Sequence, residues 1–125
     1  MTATGWGPDA RCVNGLMVPR SAGLGLRFYT GNMFPKKYKN AIFLARRGSW
    51  NRTNKFGGDV VAIMLNKDGT VKSIEPFITG FLENNNYIGR PVDVEVMADG
   101  SLLVSDDFNG AIYRVTHGKA KVAGR

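Results

Sequence analysis

Pro91-Val-Asp-Val-Glu-Val-Met97, then Asp99-Gly100, Ser101-Leu-Leu-Val-Ser105 and Ala111-Ile-Tyr-Arg-Val-Thr116, is the stretch that decides the fold. Val92, Val94 and Val96 alternate with Asp93 and Glu95, so one face of a strand is apolar and the other charged. Asp99-Gly100 marks a hairpin turn, because glycine reaches positive φ at no steric cost. The apolar run 101–105 returns, Asp106-Asp-Phe-Asn-Gly110 turns again, and 111–116 forms a third strand.

Working outward, the same order appears upstream. Leu26-Arg-Phe-Tyr-Thr30 reads as a strand rich in aromatic and β-favouring residues. Gly31–Asn40, with Pro35 and lysines, reads as a loop. Ala41-Ile-Phe-Leu-Ala45 is a continuous apolar run of strand length, expected to be buried on both faces. A polar loop from Arg46 to Arg52 leads to a third strand, Asp59–Leu65, and a turn at Asn66-Lys-Asp-Gly-Thr70, where Asp68-Gly69 is expected to supply the positive φ. Lys72–Phe81 is a fourth strand, and Pro76 assigns it to a sheet edge.

Four strands followed by three more in the same pattern is the mark of repeated propeller blades. The expected fold is all-β, a partial β-propeller of about two four-stranded antiparallel blades. Residues 1–24 are an irregular lead-in, 25–82 and 89–116 the blades, and 117–125 a polar tail. The second blade lacks its fourth strand, which in a closed propeller often comes from the N-terminal end of the chain.

Composition sets the outer bounds. The 125 residues suffice for one small domain with a core, and 16 glycines favour many tight turns over long helices. Cys12 is the one cysteine, so no internal disulfide forms, and with no Cys or His near it in sequence it reads as an incidental thiol. No apolar run approaches the roughly 20 residues of a membrane span. Met1–Gly15 lacks the basic start and apolar middle of a signal peptide. The net charge of +7 is uneven: between Asp9 and Asp59 there is no acid, yet bases run from Arg11 to Lys55. Such a field suits an anionic partner or a solvated basic face.

Several strings together resemble the C-terminal region of glucose/sorbosone (aldose sugar) dehydrogenases that depend on pyrroloquinoline quinone (PQQ). These are Leu26-Arg-Phe-Tyr-Thr-Gly31, Gly48-Ser-Trp-Asn-Arg52, Gly89-Arg-Pro-Val-Asp-Val94, Asp99-Gly-Ser-Leu-Leu-Val-Ser-Asp-Asp107 and Ala111-Ile-Tyr-Arg-Val115. The resemblance runs from Gly25 to Thr116, about three quarters of the chain. It implies a six-bladed ring, PQQ near its axis with a calcium ion beside it, hydride transfer from a sugar to the quinone, and a periplasmic or secreted location. It also implies that the histidine base sits on an early blade absent from this chain, so the chain is expected to be inactive alone and not to hold PQQ or calcium stably.

Arginine is the natural partner of a planar tricarboxylate, because its fork binds carboxylate in bidentate fashion and stacks on flat rings. By resemblance Arg90 corresponds to a cofactor-contacting arginine. Members with a second arginine two residues on differ from this chain, which has Val92 there. Arg47 lies near where relatives place a basic residue at the quinone, many of them having histidine at that position. Trp50, Asn51 and Arg52 are candidates for the substrate side of the mouth, although a tryptophan more often anchors packing. No catalytic residue and no metal ligand is assigned. Asp93 and the pair Asp106-Asp107 make a poor calcium loop and read as strand-end hydrogen-bonders. His117 lies past the last strand and reads as a surface residue. Asn51-Arg-Thr53 matches a glycosylation sequon, relevant only in a eukaryotic secretory route.

The alternative function is a non-catalytic binding or assembly module with a basic face, self-associating through exposed blade edges. Nucleic acid is disfavoured as a partner. The basic stretch carries no recognition motif, and its aromatics fall largely on strand or family-string positions. The partners expected in the parent enzyme are an aldose and an electron acceptor.

Overall fold

The structure, a computed structural model, describes residues 22–49 and 53–118. β1 (Gly23–Phe28), β2 (Ile42–Arg46), β3 (Asp59–Leu65) and β4 (Val71–Ile78) form one antiparallel sheet in the order β1-β2-β3-β4. A short hairpin follows, β5 (Leu82–Glu83) with β6 (Asn86–Tyr87). β7 (Pro91–Val96), β8 (Leu102–Asp106) and β9 (Ala111–Val115) make a second antiparallel sheet in the order β7-β8-β9. A 3-10 turn at Lys36–Tyr38 punctuates the first long loop. This is the all-β, partial propeller expected from the alternation, with one four-stranded and one three-stranded blade.

β2 is buried across its centre on both faces, as its unbroken apolar run requires: Phe43, Leu44 and Ala45 all lie inside. Phe43 and Ala45 face the second sheet, in one core with Tyr29, Phe34, Val60, Val94, Leu102 and Val104. Leu44, Val61 and Ile63 make a smaller cluster on the other face. In β7, Val94 is buried while Asp93 and Glu95 are exposed, and a register shift between Pro91 and Asp93 bulges the strand at Val92. Pro76 lies on β4, at the sheet edge, where its missing N–H breaks no interior ladder.

Several boundaries move, most by one residue and those of β1 and β4 by more. The first strand starts at Gly23 rather than Leu26 and ends at Phe28, because Tyr29 turns inward beneath the second sheet. A Cβ on Gly25 would come within 2.6 Å of Asp93 Cα, so glycine is what lets β7 close over β1. The fourth strand stops at Ile78, short of Phe81. At the 66–70 turn only Gly69 takes positive φ; the Asp68 carboxylate instead accepts hydrogen bonds from the Thr70 N–H and hydroxyl. Asp99 does the same for Ser101 and also pairs with Arg114. The Ser101 bonds, first, then Arg114 hold the Asp99 carboxyl at about 2 against the desolvation that opposes them.

Tyr29 ties the sheets together. Its hydroxyl donates to the Gly100 carbonyl (2.8 Å) and accepts the Met33 and Phe34 N–H groups (2.9 and 3.1 Å). The ring is 1% exposed and meets Phe34 and Phe43 at centroid distances of 5.1 and 5.4 Å.

Candidate functional site

Alternating strand directions sort the loops to two ends. The loop after β2, the β5–β6 hairpin, the approach to β7 and the turn after β8 share one end. The loop after β1 and the turns after β3 and β7 share the other. Arg47 and Arg90 therefore lie at the same end, and His117, which follows β9, at the opposite one, against Phe34. Lys36, Lys37, Lys39, Lys67 and Lys72 also belong to that opposite end, with a cavity of about 460 Å³ lined by Phe34, Pro35, Lys36 and Lys39. Among the described residues of the basic stretch, Arg46, Arg47 and Lys55 lie at one end, and Lys36, Lys37 and Lys39 at the other.

Asp106 organises the end that holds Arg47 and Arg90. It is 2% exposed, yet charged, because five donors surround it. Oδ1 accepts the N–H groups of Arg90 (2.9 Å), Phe108 (2.9 Å) and Asn109 (3.2 Å). Oδ2 accepts Asn109 Nδ2 (2.7 Å) and the Tyr113 hydroxyl (2.9 Å). Burial pushes the carboxyl up, but the Arg90, Asn109 and Tyr113 hydrogen bonds outweigh it and hold the pKa at about 2. Tyr113 is raised in turn by its bond to Asp106. A side chain on Gly89 would meet Asp106 Oδ2 at 2.8 Å and overlap the Phe81 ring, so glycine is what lets the chain pass here.

Asp107 takes the next step. Its N–H donates to the Arg90 carbonyl (3.3 Å), and its carboxylate accepts Arg47 Nε at 3.0 and 3.3 Å. Arg47 and Arg90 are therefore held on two neighbouring aspartates. The Arg47 guanidinium binds Asp107 through Nε, leaving its terminal nitrogens without a hydrogen bond among the described residues. Arg90 has no ion pair among the described residues; its guanidinium lies over the Tyr87 ring, 4.2 Å from the centroid. Beside them, Arg46 is already spent on a bidentate pair with its cross-strand neighbour Asp59 (2.7 and 2.5 Å).

Among the described residues Arg90 is unpaired and Arg47 half-engaged, and a guanidinium in that state has nitrogens available for carboxylate and a face that stacks on flat rings. Asp93 is exposed on β7, its Oδ1 accepting the N–H of Val94, and Asp106 is saturated. Among the described residues no group of three or more His, Cys, Asp or Glu side chains comes together to hold a metal. Trp50, Asn51 and Arg52, with the sequon at Asn51, lie outside the described residues, as does Cys12.

Reading the sequence missed Tyr87 and the hairpin that carries it. The signal was there: Asn84 and Asn85 both take positive φ (49° and 60°), the two-residue turn that asparagine tolerates.

No protein-family model matches the chain. It is 43% identical over 100 residues to an uncharacterized protein of Borreliella burgdorferi, covering 78% of this chain and 26% of that protein. Its fold is similar to the holo form of the pyranose dehydrogenase PQQ domain from Coprinopsis cinerea, with a TM-score of 0.61, 24% identity, and coverage of 79% of this chain and 27% of that one. The chain thus spans about a quarter of the length of each. No helix among the described residues is long and apolar enough to cross a membrane.

Proposed function

We propose that this chain forms part of the cofactor-facing end of a propeller that binds PQQ and oxidises a sugar, with Arg90 and Arg47 as carboxylate contacts. The observation that carries the reading is the Arg90 guanidinium, stacked on Tyr87 and without an anionic partner among the described residues, in a fold similar to a PQQ domain. PQQ, when bound, supplies the quinone that accepts a hydride from the sugar. Arg90 binds a carboxylate edge-on while its face stays on the tyrosine. Arg47 adds a second contact through the terminal nitrogens that Asp107 does not use. Trp50, Asn51 and Arg52, outside the described residues, are assigned to the substrate side on the sequence resemblance alone. The base that takes the sugar's hydroxyl proton and the calcium ligands belong to other blades, in a protein that works in the periplasm or outside the cell.

Dye reduction with PQQ, calcium and an aldose tests the assignment. The chain alone gives no turnover and binds PQQ weakly; turnover by the chain alone would overturn its inactivity. Undiminished PQQ binding by Arg90→Ala overturns the role of Arg90. A second reading, an assembly module, is favoured by the exposed Leu24, Leu26 and Phe28 on one face of β1. Light scattering separates the two: a discrete trimer supports assembly into a ring, and a monomer opposes it.

A further inference from the structure

The β5–β6 hairpin pairs only Leu82 with Tyr87 and Glu83 with Asn86. A two-stranded ladder of this size does not stabilise itself in water. What it touches explains why it is formed. Tyr87 accepts the Ser49 N–H at 2.5 Å, donates to the Phe56 carbonyl at 2.7 Å, and lies 2.9 Å from Ser49 Oγ. Ser49 and Phe56 also bond each other, Ser49 N–H to the Phe56 carbonyl (2.9 Å) and Phe56 N–H to Ser49 Oγ (3.2 Å). The hairpin tip adds a second grip: Asn85 accepts the Lys55 N–H (2.8 Å) and donates to the Thr53 carbonyl (2.7 Å).

The ring of the same tyrosine carries Arg90 at 4.2 Å, nearer than Lys55 at 5.9 Å. Two glycines make room for it. A Cβ on Gly48 would lie 2.5 Å from the Tyr87 ring and one on Gly58 3.0 Å, and both residues have positive φ (117° and 65°). One side chain thus meets the neck of the 49–56 loop with its hydroxyl and the Arg90 guanidinium with its face.

We propose that Tyr87 is a positioning residue and the β5–β6 hairpin a clamp, together fixing the Arg90 guanidinium and the neck of the 49–56 loop before any ligand arrives. The importance of this for binding rests on the reading of Arg90 as an anion contact. The physical gain is preorganisation: a long, rotamer-rich arginine is ordered in advance by its platform, so less freedom is lost when a carboxylate binds. The hydroxyl and the ring make separable contributions. Tyr87→Phe keeps the platform and cuts the loop bonds; Tyr87→Leu removes both.

The test is ¹⁵N relaxation at Arg90 Nε and at the Ser49 and Phe56 amides, in the ligand-free chain, with PQQ titrations alongside. Arg90 Nε is ordered in wild type and in Tyr87→Phe and becomes mobile in Tyr87→Leu. The Ser49 and Phe56 amides loosen in both variants. The PQQ dissociation constant rises about 3- to 10-fold in Tyr87→Leu, in line with a cation–π platform, and less than about 2-fold in Tyr87→Phe. Arg90 as ordered in Tyr87→Leu as in wild type overturns the proposal, and that readout needs no ligand. Absent PQQ binding, or binding unchanged in Arg90→Ala, overturns the cofactor reading instead. If Tyr87→Leu does not fold, Asn85→Ala carries the clamp test: the Lys55 and Phe56 amides must loosen while Arg90 stays ordered, and unchanged amides overturn the clamp.

Discussion

Replacing Asp106 by asparagine removes one charge and almost no volume from the point where five donors converge. Asparagine can present its oxygen to the three backbone N–H groups, but it then sets an NH₂ against Asn109 Nδ2, which keeps its bond to the Ile88 carbonyl and loses the one to Asp106, and against the Tyr113 hydroxyl, which loses the carboxylate it donates to. The magnitude follows from the carboxyl's titration. Its folded pKa is about 2, against an ordinary 3.8, a gap equivalent to about 2 kcal/mol. Because the folded value lies below the unfolded one, that contribution is complete above about pH 5 and is lost as pH falls through 2. Asp106→Asn should therefore be about 2 kcal/mol less stable than wild type at pH 7. The difference should shrink steadily between pH 5 and pH 2, as wild type itself becomes protonated. Urea denaturation followed by circular dichroism at several pH values measures this directly. Equal stability at pH 7, or a difference that stays constant into acid, would refute the account of Asp106 as a charged, hydrogen-bonded anchor.

Tyr29→Phe leaves the Gly100 carbonyl and the Met33 and Phe34 N–H groups without their partner, two of these bonds being buried, and should cost about 2 kcal/mol in a denaturant melt. A cost near zero would mean that the hydroxyl is not what joins the sheets. Gly89→Ala should cost about 1–3 kcal/mol, since its methyl must displace the Phe81 ring or Asp106, and it should also shift the Arg90 amide resonance. A double-mutant cycle on Arg46 and Asp59, whose side chains are 15% and 14% exposed, should give a coupling of about 1 kcal/mol or more. The same cycle on Arg27 and Glu95, 52% and 57% exposed, should give close to none; equal couplings would contradict the burial argument.

What could be read from the sequence depended on how local the physics was. The valine–acid alternation of β7 is a property of six adjacent residues, and the structure keeps it, with Val94 inside and Glu95 outside. Pro76 announced an edge strand because the loss of one N–H is tolerated only there. The start of β1 was hidden, since Gly23 and Gly25 oppose strand formation on propensity alone. The reason for Gly25 lies 68 residues away, where Asp93 presses on it. Arg90 was legible as a candidate from its place before the valine strand. Its platform was not, although Tyr87 is only three residues away: no local pattern marks that ring as the seat of the guanidinium rather than as ordinary packing. Arg47 was likewise visible, but its tether to Asp107 spans 60 residues.

The clasp that Tyr29 makes with Gly100, and the aromatic core beneath it, has a bearing on how the chain comes apart. Phe43 from β2 shares one core with Val94 from β7 and with Leu102 and Val104 from β8, so the second sheet has no buried core apart from the first, which keeps only the small Leu44, Val61 and Ile63 cluster for itself. The two blades should then open as one cooperative unit. In native-state hydrogen exchange, the slowest amides of β2 and of β8 should report the same opening free energy, as if a single door served both rooms.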